Sequence, residues 1–138
     1  MKEKINKKSV LVCFLIAYTI FILCVTLLLR EPFKGEHLQL ELFWSYKVID
    51  VQFKQMICNV LLFIPLGLLL KLLGVSTRLI LLIGFLFSCS IELLQYLLEL
   101  GLCELDDVFH NTLGILIGLH IGNWFGRQCR KRLKKDRD

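Results

Sequence analysis

The sequence lacks the short motifs that carry most well-defined catalytic and metal-binding chemistry. It contains no phosphate-binding glycine loop, no HExxH helix, no Ser-His-Asp order and no paired zinc motif. The cysteines show no CxxC spacing, and Cys13, Cys24 and Cys89 fall inside apolar stretches, where cysteine behaves as a small apolar residue. Motifs alone therefore assign no reaction, no metal and no cofactor to this chain.

Charged residues are also scarce for a water-soluble chain. Only 21% of the residues are charged, whereas 56% are hydrophobic and the mean hydropathy is +0.65. One core of a domain with 138 residues cannot hide so much apolar surface, so part of that surface must face something other than water. Four stretches are long enough to cross about 30 Å of hydrocarbon at about 1.5 Å per helical residue. These are 10–29, 55–73, 79–98 and 108–126.

These stretches predict an all-α fold: a polytopic membrane protein with four transmembrane helices in an antiparallel bundle, as one domain over residues 1–138. Most of the 17 Lys and Arg residues precede the first stretch, flank the 71–78 turn or lie in the tail at 127–138. Because short cytoplasmic segments retain positive charge, we expect both termini to be cytoplasmic and 30–54 to be an extracellular loop. The first stretch has no small-residue cleavage site and is expected to remain as an anchor.

The net charge of +5 then indicates binding to anionic membrane lipids rather than to nucleic acid, because the basic residues cluster in the predicted cytoplasmic tail.

The polar side chains of three predicted helices fall at one depth. With this orientation, Asn59 lies about 6 Å, Gln95 about 5 Å and Glu92 about 9 Å below the outer surface. Because an ionisable group inside a membrane is costly, we expect Glu92 to face the bundle interior with Asn59 and Asn111 among its neighbours. The fourth helix begins at the same level with Asp106, Asp107, His110 and Asn111.

This polar set has two interpretations. In the first, it forms a pocket on the outer side that binds a cationic or hydrogen-bonding group, with Glu92, Asp106 and Asp107 supplying negative charge. In the second, the Glu, Gln and Asn side chains form an interhelical hydrogen-bond network, and one Asp stabilises the start of the fourth helix. Asp106 and His110 are four residues apart, which is a weak pattern for a metal site.

Small residues predict how the helices pack. Pro65 and Gly67 inside the second stretch permit a kink if neighbouring helices provide hydrogen-bond partners for the backbone groups that the kink leaves unpaired. Glycines recur at four-residue steps in the fourth stretch and predict the close approach of another helix; they are Gly114, Gly118 and Gly122. Cys58 and Cys103 both fall near the predicted outer surface, so a disulfide between them is left open.

Three blocks of the sequence together resemble the VanZ-like family of bacterial membrane proteins. The blocks are NVLLFIPLGLLL at 59–70, SCSIELLQ at 88–95 and ELDDVFHNTLGILIG at 104–118. Their order and spacing match the family across about half of the chain. The positions that match the family's characteristic residues are Asn59, Pro65, Gly67, Glu92, Gln95, Asp107, Asn111 and Gly114.

Two positions depart from that resemblance. Many relatives carry an Arg shortly before the acidic pair, whereas this chain has no basic residue from Gly101 to Asp107. If that Arg neutralises a carboxylate in relatives, the pocket here is more acidic and a cationic ligand becomes more plausible. His110 stands where an aliphatic residue is common in the family.

The resemblance implies a multi-pass protein of the bacterial cell membrane that contributes to resistance against teicoplanin-type glycopeptide antibiotics. The partners it implies are membrane lipids and either the antibiotic or a lipid-linked cell-wall precursor, and a homo-oligomer is compatible with it. One alternative is a membrane enzyme acting on a lipid-linked envelope substrate, with Glu92 or Asp107 as its general acid or base. A second alternative is a small transporter.

Overall fold

A computed structural model describes residues 6–32 and 38–135, with the backbone alone for 50–51 and 129–135. The fold is 79% helical and contains four α-helices within the described residues. The helices are α1 (Lys7–Leu23), α2 (Ile49–Leu72), α3 (Thr77–Leu97) and α4 (Leu105–Lys135), and α1 continues directly into a π-helix, Cys24–Leu28. The all-α prediction is therefore confirmed.

Three segments of these helices are long and apolar enough to cross a membrane: Lys7–Leu28, Gln52–Leu72 and Thr77–Leu97. Their bounds lie close to the predicted stretches. The fourth helix differs, since α4 starts at Leu105 and runs to Lys135, through much of the predicted basic tail. The 30–54 connection is shorter than predicted because α2 already begins at Ile49. Within that connection, residues 33–37 lie outside the described part.

The distribution of side chains is inverted relative to a soluble protein. Large apolar residues such as Leu61, Leu82 and Phe85 are exposed along the spans. The buried polar residues are instead concentrated near the C-terminal end of α3 and the N-terminal end of α4; they include Glu92, Gln95, Asp106, Asp107, His110 and Asn111. An exposed apolar belt around a polar interior is what a bilayer requires, because lipid cannot satisfy hydrogen-bonding groups.

Helices α2 and α4 are packed backbone against backbone at their glycines. A Cβ on Gly118 would lie 2.8 Å from the Leu68 nitrogen and closer still to the Ile64 carbonyl oxygen. On the opposite helix, a Cβ on Gly67 would collide with the Ile115 carbonyl. Pro65 lies inside α2, which continues through it as one helix.

A short segment of loop lies over the start of α4. β1 (Leu38–Gln39) pairs in parallel with β2 (Cys103–Glu104), so Leu38 stands opposite Cys103 and Gln39 opposite Glu104. A 3-10 turn follows at Trp44–Tyr46. We refer to residues 38–47 as the outer loop.

Candidate functional site

Four carboxyl groups are buried together where α3 ends and α4 begins. Glu92 comes from α3, Glu104 from β2, and Asp106 and Asp107 from the first turn of α4. The backbone N–H of Glu104 donates a hydrogen bond to Glu92 Oε2 over 2.9 Å. We refer to these four residues as the acidic cluster.

The positive charge at this cluster comes from a distant part of the chain. Arg30, just beyond the π-helix, places its Nη2 atom 3.2 Å from Asp107 Oδ2. Gln55 donates from Nε2 to the same oxygen over 3.1 Å and lies 3.5 Å from Glu104 Oε1. The missing Arg before the acidic pair is thus compensated by Arg30, and Asp107 is not left as an unpaired charge.

Asp106 fastens the outer loop. Its carboxylate accepts hydrogen bonds from the backbone N–H groups of Phe43 and Ser45, over 2.5 and 2.9 Å. Phe43 has a positive φ of 66°, a conformation that is rare for a side chain of its size. The ring of Phe43 also packs edge-on against Phe109, with centroids 5.4 Å apart. Asp106 therefore holds a strained turn in place, a role that neither sequence interpretation included.

Glu104 links the cluster to the same loop. Trp44 donates from its indole nitrogen to Glu104 Oε2 over 3.1 Å. Burial, reinforced by the negative charge of Asp107, raises the pKa of Glu104 to about 7, although Trp44 and Arg30 oppose this rise. Glu104 consequently exchanges a proton near neutral pH.

The amide side chains of this region hydrogen-bond to other helices. Asn111 donates to Ser88 Oγ over 2.8 Å, and Gln95 donates to the Thr26 carbonyl over 2.9 Å. The backbone N–H of Glu104, rather than Asn59 or Asn111, hydrogen-bonds Glu92.

His110 Nε2 lies 3.3 Å from the Tyr46 hydroxyl oxygen, so the imidazole adds a further connection between α4 and the outer loop.

Several buried polar atoms at this level have no hydrogen-bond partner among the described residues. They are Asn59 Nδ2, Gln95 Oε1, His110 Nδ1 and Asn111 Oδ1. A buried polar group without a partner costs about 1–3 kcal/mol. Among these residues, Asn59 lines one of the clefts described next.

Clefts in the surface reach this polar region, and two of them contain its charged residues. The first, of about 420 Å³, lies between α1 and α2 and includes Arg30 and Asn59 in its wall. The second, of about 380 Å³, lies between α3 and the outer loop and includes Glu92 and Glu104. We name them the Arg30 cleft and the Glu92 cleft.

The Glu92 cleft also contains the thiol of Cys103, which is free, as is that of Cys58. Burial, with a smaller effect from nearby carboxylates, raises the pKa of Cys103 to about 11, so this thiol is not an activated nucleophile. No group of three or more His, Cys, Asp or Glu residues in the described part of the chain is arranged to hold a metal ion.

The sequence interpretation missed Glu104, which belongs to the acidic cluster, and also Arg30 and Gln55, which hydrogen-bond to it. Gln55 had a usable signal, because it lies four residues before Asn59 and so on the same face of α2. Arg30 directly follows the first apolar stretch, but nothing in its local sequence indicates Asp107 as its partner.

Comparisons with known proteins agree with this architecture. The family model for VanZ/LLP1 matches residues 10–126. "Protein VanZ" from Enterococcus faecium is 35% identical over 77 residues, which cover 50% of this chain and 44% of that protein. The match thus spans less than half of the relative's length. No solved structure matches the chain.

Proposed function

The chain belongs to the VanZ/LLP1 family, and we propose that it contributes to resistance against teicoplanin-type glycopeptide antibiotics from within the bacterial cell membrane. The observation that carries this proposal is the acidic cluster itself. Four buried carboxyl groups with one arginine, beneath a loop that they hold in place, are far more than helix packing requires.

The proposed topology has four spans, with both termini in the cytoplasm and the outer loop on the extracellular side. Three helices have the required length and apolarity. Helix α4 is more polar, but its glycines pack it closely against α2, so its polar first turns are covered by protein rather than by lipid. The basic residues beyond Arg127 favour a cytoplasmic C-terminus.

The proposed ligand group is cationic or donates hydrogen bonds, and it enters by the Glu92 cleft. Arg30 already neutralises Asp107, and Asp106 is engaged by the outer loop. Glu92 and Glu104 are the acidic residues that line this cleft. A group from the antibiotic, or from a lipid-linked wall precursor, would bind these carboxylates at the level of the outer leaflet.

The test is expression of the chain and its Glu92→Gln variant in a sensitive bacterium, with measurement of teicoplanin inhibition and of protein abundance in the membrane. Gln retains an oxygen that accepts from the Glu104 backbone but removes the ionisable carboxyl group, so we expect at least a fourfold loss of protection at unchanged abundance. Ser90→Ala is the matched control, because Ser90 is exposed on the same helix and bonds only to the Leu86 carbonyl. Full protection by Glu92→Gln would refute the role of the cluster.

A second candidate is acid–base catalysis on a lipid-linked envelope substrate. The observation that favours it is the pKa of Glu104, raised to about 7 by burial and by Asp107, since such a carboxyl transfers protons efficiently near neutral pH. The two functions are distinguished by incubating the purified protein with a lipid-linked wall precursor and measuring the mass of the precursor afterwards. A changed mass favours the enzyme, whereas unchanged precursor with retained binding favours the non-enzymatic role.

A further inference from the structure

We propose that the Arg30 cleft is a binding site for one phospholipid of the bilayer, whose phosphate is held by Arg30 and Asn59 and whose acyl chain lies between α1 and α2. This site is separate from the Glu92 cleft and does not depend on the resistance role. It rests on three features of the cleft: its apolar walls, its donor-rich end, and the absence of acidic side chains among the described residues that line it.

The walls have the dimensions and exposure of an acyl-chain groove. Phe21 of α1 and Leu61 of α2 stand on the two sides, 50% and 58% exposed, so the groove opens toward the lipid-facing surface. At its lower end, the Tyr18 hydroxyl donates to the Leu62 carbonyl over 2.8 Å and ties the two helices together. A volume of about 420 Å³ holds much of an acyl chain and a small polar linkage.

The polar end of the cleft presents hydrogen-bond donors. Asn59 is 9% exposed, and its Nδ2 atom makes no hydrogen bond of normal geometry among the described residues, although its amide lies close to the Asp107 carboxylate. Arg30 carries several N–H donors on a planar guanidinium, a shape that suits phosphate oxygens. Two donors at the end of an apolar groove match an acceptor-rich group joined to a hydrocarbon chain, as in a phospholipid.

The charges around Arg30 are also arranged for this ligand. The Asp107 side chain is only 3% exposed and does not line the cleft, whereas the Arg30 side chain is 23% exposed and does. The guanidinium thus lies between the buried carboxylate and the cleft. The Glu92 cleft carries Glu92 and Glu104 in its wall and would repel a phosphate.

The test compares lipid retention by the purified full chain in neutral detergent, using native mass spectrometry. The probes are dimyristoylphosphatidylglycerol and dimyristoylglycerol, which share acyl chains and differ in the phosphate-containing headgroup. We expect one phosphatidylglycerol per chain and at least fivefold less diacylglycerol. Leu61→Trp, which fills the groove from an exposed position, should lower phosphatidylglycerol retention at least fivefold, whereas Leu86→Trp, 54% exposed on α3, should not.

A second readout uses cysteines already present in the chain. Cys58 lines the Arg30 cleft, and Cys13 lies on α1 outside it; both are exposed and free. Phosphatidylglycerol should slow maleimide alkylation of Cys58 severalfold and leave that of Cys13 unchanged. Equal retention of the two lipids, equal effects of the two Trp variants, or equal protection of the two thiols would each overturn the proposal. No antibiotic is involved, so failure here is distinguishable from failure of the resistance role.

Discussion

At the residue scale, the acidic cluster is stable because its members have different partners. Asp107 pairs with Arg30, Asp106 accepts two backbone N–H groups, and Glu92 accepts one. Glu104 instead has a pKa of about 7, so one proton offsets part of the remaining negative charge near neutral pH. Buried charges that are paired, hydrogen-bonded or protonated avoid most of the cost of leaving water.

The contribution of the Arg30–Asp107 pair can be measured by a double-mutant cycle. Arg30→Gln should lower the free energy of unfolding by about 1–3 kcal/mol, because it leaves the Asp107 carboxylate buried without its cation. The double variant Arg30→Gln with Asp107→Asn should lose clearly less free energy of unfolding than the sum of the losses in the two single variants. Denaturant unfolding in detergent micelles provides the values, and strictly additive costs would show that the pair contributes nothing.

Glu104 makes stability depend on pH. Its pKa is raised from 4.5 to about 7 in the folded protein, so the folded state binds this proton more tightly than the unfolded state does. Its contribution to the free energy of unfolding is therefore fully present below pH 4.5 and is lost as the pH rises through 7. Unfolding measured from pH 4 to pH 8 should show this decline.

The matched variants separate Glu104 from other carboxyl groups in the same pH range. Glu104→Gln should make the decline shallower, whereas Glu41→Gln, a change in an exposed residue of the outer loop, should leave its slope unchanged. An unchanged slope in Glu104→Gln would assign the effect to a different group.

At the element scale, the contact between α2 and α4 positions the site. Gly114 and Gly118 allow the two backbones to approach closely, which brings Gln55 near Asp107 and Asn59 to the same level. The π-helix has a comparable role on α1, because its Thr26 carbonyl accepts from Gln95 of α3. Interruptions of this kind are frequent at functional sites.

Replacement of Gly118 tests this contact. Gly118→Val should greatly reduce the amount of folded protein in the membrane, because the new side chain would collide with the α2 backbone at Ile64 and Leu68. Gly126→Ala on the same helix is the control, since a Cβ there would have no atom of the described side chains within 4 Å. Membrane abundance by immunoblot is the measurement, and equal abundance of the two variants would contradict the packing argument.

At the scale of the whole molecule, the exposed apolar belt and the buried polar level together define which parts face lipid. The described helices expose Leu and Phe side chains along the spans, and the polar atoms without partners lie inside. This arrangement would aggregate in water. In a bilayer it places the polar site inside the helix bundle, beside the Arg30 cleft and the Glu92 cleft.

The proposed orientation predicts the outcome of reporter fusions. A phosphatase joined after Lys47 should be active, because the outer loop would be extracellular. A green fluorescent protein at the C-terminus should fluoresce in the cytoplasm. Activity and fluorescence in a bacterial host provide the measurement, and the reverse pattern would place the site on the cytoplasmic side of the membrane.

The sequence by itself determined the helices. Length and hydropathy are local properties, so the bounds of three apolar spans follow from them, and helical rise predicts one depth for Asn59, Glu92 and Gln95. The resemblance of three sequence blocks likewise identified the family, which the match over residues 10–126 confirms.

Only the tertiary structure decided which of these groups meet. Arg30 contacts Asp107, and Asp106 holds the turn at Phe43. In the sequence, helices α2 and α3 lie between the two members of each pair. Such contacts depend on how α1, α2 and α4 pack and rotate against one another, and the period of a single helix carries no information about its partner's rotation.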